Sequence, residues 1–329
     1  MSLNRRLFAA GLVAVPFVKP AFAQMSPQAW SPSAPVRMVV AYPAGGPVDV
    51  IARVVAADIS GPLGQQVVVD NVSGGAGAIG TRVVAKAKPD GLTITFGTNQ
   101  THGNNKFMLK DPGYDVVKDF APLAGAGAFE HVVVVRKDLP AQNIQDLIKL
   151  AKEKPGALNY GSTGIGSGAH LTAELFMVRT GTKMTHVPYR GAPPMVQDIV
   201  GGRVDLAIAT LPSVLTQITS SQIRALAICS PKRNPHLPDV PTLQEQGIKG
   251  SDAASWAGFF APAATPQPIV DRLSGEILAS LKKPDTAARI DKLGFTVEPR
   301  DPASFRPYWE NEVETWVKIA KDAGVQAED

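Results

Sequence analysis

Residues 70–91, DNVSGGAGAIGTRVVAKAKPDG, contain Gly75-x-Gly77-x-x-Gly80, the glycine spacing of a dinucleotide-binding turn, between a strand-like run (QQVVVD) and a helix-like one. Such a turn also needs an acid about 20 residues further on to hold the ribose hydroxyls. Here that distance lands in TITFGTNQ, which has no carboxylate, and the motif lies in the second αβ unit rather than the first. NAD and ATP are therefore not expected ligands. Without an acid, the glycines can still expose backbone N–H groups at a helix N-terminus, whose partial positive charge attracts an anion. The same arrangement recurs in YPAGGPVD (42–49) and in YGSTGIGSGAH (160–170), where Ser162, Thr163 and Ser167 add hydroxyl donors. Any one of these loops is equally a plain βα turn. Three of them, at the carboxyl ends of parallel strands where open α/β sheets bind ligands, point to an anion site. Its donors are expected to be amides and hydroxyls, with Gly46 a position where a side chain would bar backbone approach.

Other chemistries find less support. The nucleophile elbow G-x-S-x-G is absent in register. The five histidines (102, 131, 170, 186, 236) show no H-x-x-x-H or C-x-x-C metal spacing, so neither metal nor cofactor is expected. His186 reads as a half-buried strand residue. Asp49 is a candidate acid, but in the first turn of a helix a carboxylate also serves the cap and the dipole. The single cysteine, Cys229, lies in the apolar run IRALAICS and reads as a buried thiol.

The elements that must position these loops alternate. VRMVVAY (36–42) reads as a strand, 47–60 as a helix closed by Gly61-Pro62, QQVVVD as a strand, IGTRVVAKA as a helix and LTITFGT as a strand. This is the βαβ rhythm of a parallel sheet covered by helices. A longer strand falls within 121–136, and the rhythm then restarts. Helices are expected at 143–154, at 168–180 and in PPMVQDIVGG, and strands in LNYG, KMTHVPY, VDLAIAT and IRALAICS. Gly156 and Gly181 stand where helix C-caps belong. Three closing helices (266–282, 285–293, 302–323) have no second sheet to cover, so the chain is expected to return to the first lobe. Two crossing strands, near 124–136 and 254–261, would form the hinge.

Residues 1–23 read as an export signal cleaved after Ala23: a charged start, an apolar stretch too short to span a membrane, and the small-x-small end Ala21-Phe22-Ala23. Arg5-Arg6 leaves Sec and twin-arginine routes open. Removing Arg5, Arg6 and Lys19 takes the net charge from +4 to about +1, and no Lys/Arg cluster interleaves with aromatics, which argues against nucleic acid.

YPAGGPVDVIAR, LGQQVVVDNVSGGAGAIGTRVVAKAKPDG, YDVVKDFAPLA, LNYGSTGIGSGAHLTAELF, VPYRGAPPMVQDIVGGRVDLAI, PDVPTLQEQG and WAGFFAPAATPQPIVDRL, in that order across nearly the whole mature chain, resemble the extracytoplasmic receptors of tripartite tricarboxylate transporters, the Bug receptors. The resemblance implies an α/β, two-lobed periplasmic-binding-protein fold (type II-like), each lobe a mainly parallel sheet flanked by helices. The expected division is 24–128 with 254–329 for the first lobe and 129–253 for the second. It implies a periplasmic protein, expected to be a monomer, that holds a small carboxylate and delivers it to membrane permease subunits. A sensor that presents its ligand to a signalling protein, or an exported enzyme, are the alternatives.

The family's binding loops carry over to Tyr42, Pro43, Ala44, Gly45, Gly46 and Asp49; to Gly74, Gly75, Ala76 and Gly77; and to Thr98 and Asn99. In the other lobe they carry over to Ser162, Thr163, Gly164, Ser167 and His170, to Tyr189, Arg190 and Gly191, and to Asp205 and Thr210. AFEHVV departs from the family pattern, so Glu130 and His131 are candidate selectivity residues, with a solvated strand end as the alternative. The polar run TNQTHGNN adds Gln100, Thr101 and His102 as candidates for the far end of a ligand.

Overall fold

The computed structural model describes residues 30–326; the expected export signal lies outside the described residues. The first lobe opens with β1 (Val36–Val40), α1 (Pro47–Leu63), β2 (Val67–Asn71), α2 (Ala78–Ala85) and β3 (Thr93–Thr98). β1 pairs in parallel with both β2 and β3. The apolar face of α1 (Ile51, Val54, Val55, Ile59) packs on that sheet. The helix passes through Gly61-Pro62, where it was expected to close, and ends at Gly64, which takes the left-handed conformation at φ 72° that a C-cap needs. Beyond β3 the chain makes a wide π-helical turn (Gln100–Asn104) and a short helix, α3 (Asn105–Met108), neither expected from the sequence.

β4 (Phe120–Arg136) is the structural axis. Its first half pairs antiparallel with β9 (Ala254–Pro262) and β10 (Phe295–Arg300); its second half pairs antiparallel with β7 (Leu206–Thr210) and β8 (Ile223–Ile228). The sheet runs in the order β2-β1-β3-β9-β4-β7-β5-β6, with β5 (Asn159–Ser162) and β6 (Thr185–Pro188) parallel to each other. Each lobe is thus parallel at its outer strands and antiparallel along β4, a mixed sheet where a mainly parallel one was expected. β10 was not expected: FTVEPR lies between two helical segments, and its partner on β4 is far away in sequence.

α4 (Ile144–Glu153), α5 (Gly168–Thr180), α6 (Ala192–Val200) and α7 (Leu211–Thr219) cover the second sheet, and α8 (Gln267–Lys282), α9 (Pro284–Asp291) and α10 (Pro302–Asp322) return to the first. Gly181 is the left-handed C-cap of α5, whereas α4 ends at Lys154, two residues before Gly156. Trp316 and Ala320 of α10 pack on Leu171 of α5 and on Met108, an apolar contact between the two halves behind the cleft. Cys229 is buried and unpaired.

Candidate functional site

The loops that follow β1, β2, β3, β5, β6 and β7 meet at one edge of the sheet, between the two halves. They enclose two adjoining chambers. The hinge-side chamber, open to solvent on one side, is floored by Phe129 of β4 and Ser255 of β9. Its walls carry Tyr42, Pro43, Gly46, Thr98 and Asn99 from one half and Thr163, Ser167, Gly191 and Thr210 from the other, with no charged residue among them. The loop-side chamber is bounded by Ser73–Gly77, Thr163–Ile165 and Pro188–Gly191, with Arg190 as the one charged residue among those that line it.

Several side chains behind the walls hold the loops in shape. Asp49, the expected binding or acid residue, is buried. It accepts from Gly45 N–H (2.9 Å), from Arg53 (2.9 Å) and from Asn71 (2.9 Å). Burial opposes its ionisation, but those donors together hold its carboxyl below the usual carboxylate range. Asp49 therefore shapes the 42–46 loop without facing the chamber. Tyr42 Oη hydrogen-bonds Thr98 Oγ1 at 2.6 Å and donates to Gln100 Oε1 at 3.2 Å, fixing its ring on both chamber walls. Asn99 is buried, and its side-chain N–H₂ has no hydrogen-bond partner in the protein. A buried donor left unpaired costs roughly 1–3 kcal/mol, which an acceptor in the chamber would recover.

A family model described as "Tripartite tricarboxylate transporter family receptor" matches residues 51–325. The chain belongs to this receptor family. Among relatives, Protein BugT of Bordetella pertussis is 33% identical, aligned over 90% of this chain and 91% of its own. Rpa4515 of R. palustris, solved with adipate, is 36% identical and superposes with a TM-score of 0.88 over 90% of this chain and 99% of that one. MatC (Rpa3494) from Rhodopseudomonas palustris, solved with bound malate, is 30% identical with a TM-score of 0.84 over 88% and 99%. The two-lobed periplasmic-binding fold follows for this receptor.

Measured against the expectations, the receptor brings most of the loop residues to the cleft and leaves several out. Asp205 does not reach it. At the opposite end of β7 from Thr210, it binds Arg136 Nε (3.0 Å) and accepts from Asn159 N–H (2.8 Å). His102 points into the core, stacked on Phe260 at 4.1 Å and bonded to Thr101 Oγ1, which leaves neither Thr101 nor His102 facing a ligand. Glu130 accepts from Asn234 Nδ2 (2.8 Å) and ties β4 to the 230–237 loop. His131 is fully buried one layer behind the floor. Its Nδ1–H donates to Ala253 O (3.0 Å), so its Nε2 accepts from Ser255 Oγ (3.2 Å) and orients that hydroxyl.

In the second half, Ser167 Oγ caps α5 by accepting from His170 N–H, and Ser162 Oγ is bonded to His186 Nε2 at 2.7 Å. His170 lies behind the loop, its ring stacked on His186 at 4.2 Å and its Nε2 3.7 Å from Glu174. Tyr189 donates to Asp198 and lines the loop-side chamber; Arg190 beside it is exposed. Gly74, Gly75, Ala76 and Gly77 all take positive φ. A Cβ at Gly77 would sit 2.6 Å from Thr101 Cγ2, and one at Gly80 2.4 Å from Val72 O. Close packing of α2 on its strand thus accounts for the spacing that resembles a dinucleotide turn. Ala44, Gly45 and Gly164 lie on loops around the cleft, Gly45 fastened to Asp49.

Phe129 and Ser255 were missed. In AFEHVV, strand alternation puts Phe129, not the charged Glu130 beside it, toward the chamber. Ser255 pairs across from Phe129 in the β4–β9 ladder, a register that sequence alone does not supply.

Proposed function

We propose that this receptor captures a small carboxylate in the cleft, in the periplasm, and delivers it unchanged to membrane permease subunits of the tripartite tricarboxylate type. The observation that carries the reading is the unpartnered, buried Asn99 N–H₂ on the wall of an uncharged chamber built from the carboxyl-end loops of both halves. Donors without a neutralising cation suit an anion held by amides and hydroxyls, the arrangement that preorganised loops provide. Adipate in Rpa4515 and malate in MatC support a carboxylate here. Among the described residues no helix is long and apolar enough to cross a membrane. Asp49, engaged by three donors, is read here as a loop-shaping residue rather than a base.

A thermal-shift panel of mono-, di- and tricarboxylates, aromatic acids and acidic amino acids tests this. A ligand at about 100 times its Kd should stabilise the folded chain by roughly 2.7 kcal/mol. For a chain of this size that is a rise of roughly 4 °C. NAD and ATP should leave Tm unchanged, since the glycines of the 74–80 segment serve packing. A panel in which no carboxylate raises Tm, or recovery of a chemically altered ligand, would sink the proposal.

A further inference from the structure

Gln100 stands where the two chambers meet. It is one of five residues that line both, with Tyr42, Pro43, Thr163 and Gly191. Its side chain is almost wholly buried, and both ends of its amide are already used by the protein. Oε1 accepts from Tyr42 Oη at 3.2 Å, and Nε2 donates across the cleft to Ile165 O at 2.9 Å. Gly164 lies beside that crossing at φ 129°, a conformation in which a side chain is strained, and a Cβ there would meet Tyr189 O at 3.3 Å and Gln100 Nε2 at 3.7 Å. An amide satisfied at both ends is poorly placed to recognise a ligand by hydrogen bonding, but it makes a firm wall.

The two spaces it separates differ in kind. On the hinge side are Phe129, prolines and hydroxyls without charge; on the loop side are the left-handed glycine turn at 74–77 and Arg190. A ligand confined to the hinge side is short. A second anionic end reaches Arg190 only if the wall gives way.

We propose that Gln100 is the specificity-determining partition of this cleft, restricting the receptor to short carboxylates and excluding longer ones that would extend into the loop-side chamber. The proposal rests on the carboxylate reading above and deepens it. Removing the side chain joins the chambers and opens the Arg190 side to the far end of a long dicarboxylate.

The test is calorimetric titration of wild type, Gln100→Ala, Gln100→Asn and Gln100→Met, each checked for cooperative melting. The probes are two series of increasing length: the linear dicarboxylates from succinate through adipate to sebacate, and phenyl-substituted alkanoates. Wild type should favour the short members. Gln100→Ala should shift the ratio of long-member to short-member affinity by about tenfold or more, and Gln100→Asn should shift it the same way by less. Gln100→Met, which keeps the bulk but loses both hydrogen bonds, should retain the wild-type length profile with all affinities lowered together. A length profile unchanged in both Gln100→Ala and Gln100→Asn, or a wild type that already prefers the longest members, overturns the partition and leaves the carboxylate reading standing. If wild type binds no member of either series and no other carboxylate of the thermal-shift panel, the carboxylate reading fails and the partition falls with it.

Discussion

A Gly191→Val protein is expected to bind its ligand at least about fivefold more weakly than wild type. Gly191 precedes α6 with φ 104° and ψ −178°, a region that only glycine populates readily. Holding a side chain there costs about 1–3 kcal/mol. A Cβ would also stand 2.8 Å from Pro43 Cδ and 3.2 Å from Pro43 Cγ, on the loop of the opposite half. Overpacking of that kind adds about 1–3 kcal/mol. That overlap alone, about 1–3 kcal/mol, sets the lower bound on the affinity loss through the factor of ten per 1.4 kcal/mol. The strain belongs to one loop and lowers the melting temperature of the ligand-free protein; the overlap with Pro43 acts where the halves meet and is read in affinity. Gly46→Val, on the same chamber wall, is the milder comparison and should lose less, because the side-chain barrier expected at Gly46 falls at Gly191 instead. Gly46 has φ −78°, and a Cβ there meets only ordinary contacts, 3.5 Å from Pro43 O and 3.8 Å from Pro193 Cδ. Calorimetry on both variants decides the matter: wild-type affinity in Gly191→Val would show that the 42–46 and 189–191 loops need not touch for capture.

Acid is expected to unfold this protein well above the range where its carboxylates titrate. Burial pushes the imidazoles of His102 and His170 down to about 3 and those of His131 and His186 down to about 4. For His170 the neighbouring His186 ring adds to the effect. Each is therefore neutral in the folded chain but takes up a proton on unfolding once the pH is below about 6.5. The stability they contribute is complete above about pH 6.5 and is lost as the pH falls through 6 toward 4 and 3. Every such proton steepens the loss by about 1.4 kcal/mol per pH unit. Glu174 and Glu312, whose carboxyls burial pushes up, oppose the trend over part of this window. Urea unfolding between pH 7 and pH 4.5 reads the slope directly. His102→Phe keeps the stack on Phe260 and should flatten that slope by up to about 1.4 kcal/mol per pH unit. A stability profile that stays level from pH 7 to pH 5 would contradict the neutral, buried placement of these rings.

Local pattern was enough to read the alternation of strands and helices from β1 through β8, because buried strands and amphipathic helices write their period directly into the chain. The ordered segments also identified the receptor family, and the three glycine loops marked the edge of the sheet where the cleft lies. Long-range contacts decided the rest. Asp205 looked like a cleft residue because it begins a strand whose other end reaches the cleft; only the fold shows that Arg136 and Asn159 hold it at the far side. His102 and Gln100 are neighbours in one polar run, yet the π-helical turn sends the imidazole into the core and the amide across the cleft. β10 owes its existence to β4, more than 150 positions earlier in the chain. Phe129 and Ser255 become one floor only when the β4–β9 register sets them side by side. Sequence periodicity specifies which face a residue takes on its own element. Which residues of distant elements share a wall is set by register and close packing, and those exist only in the folded chain.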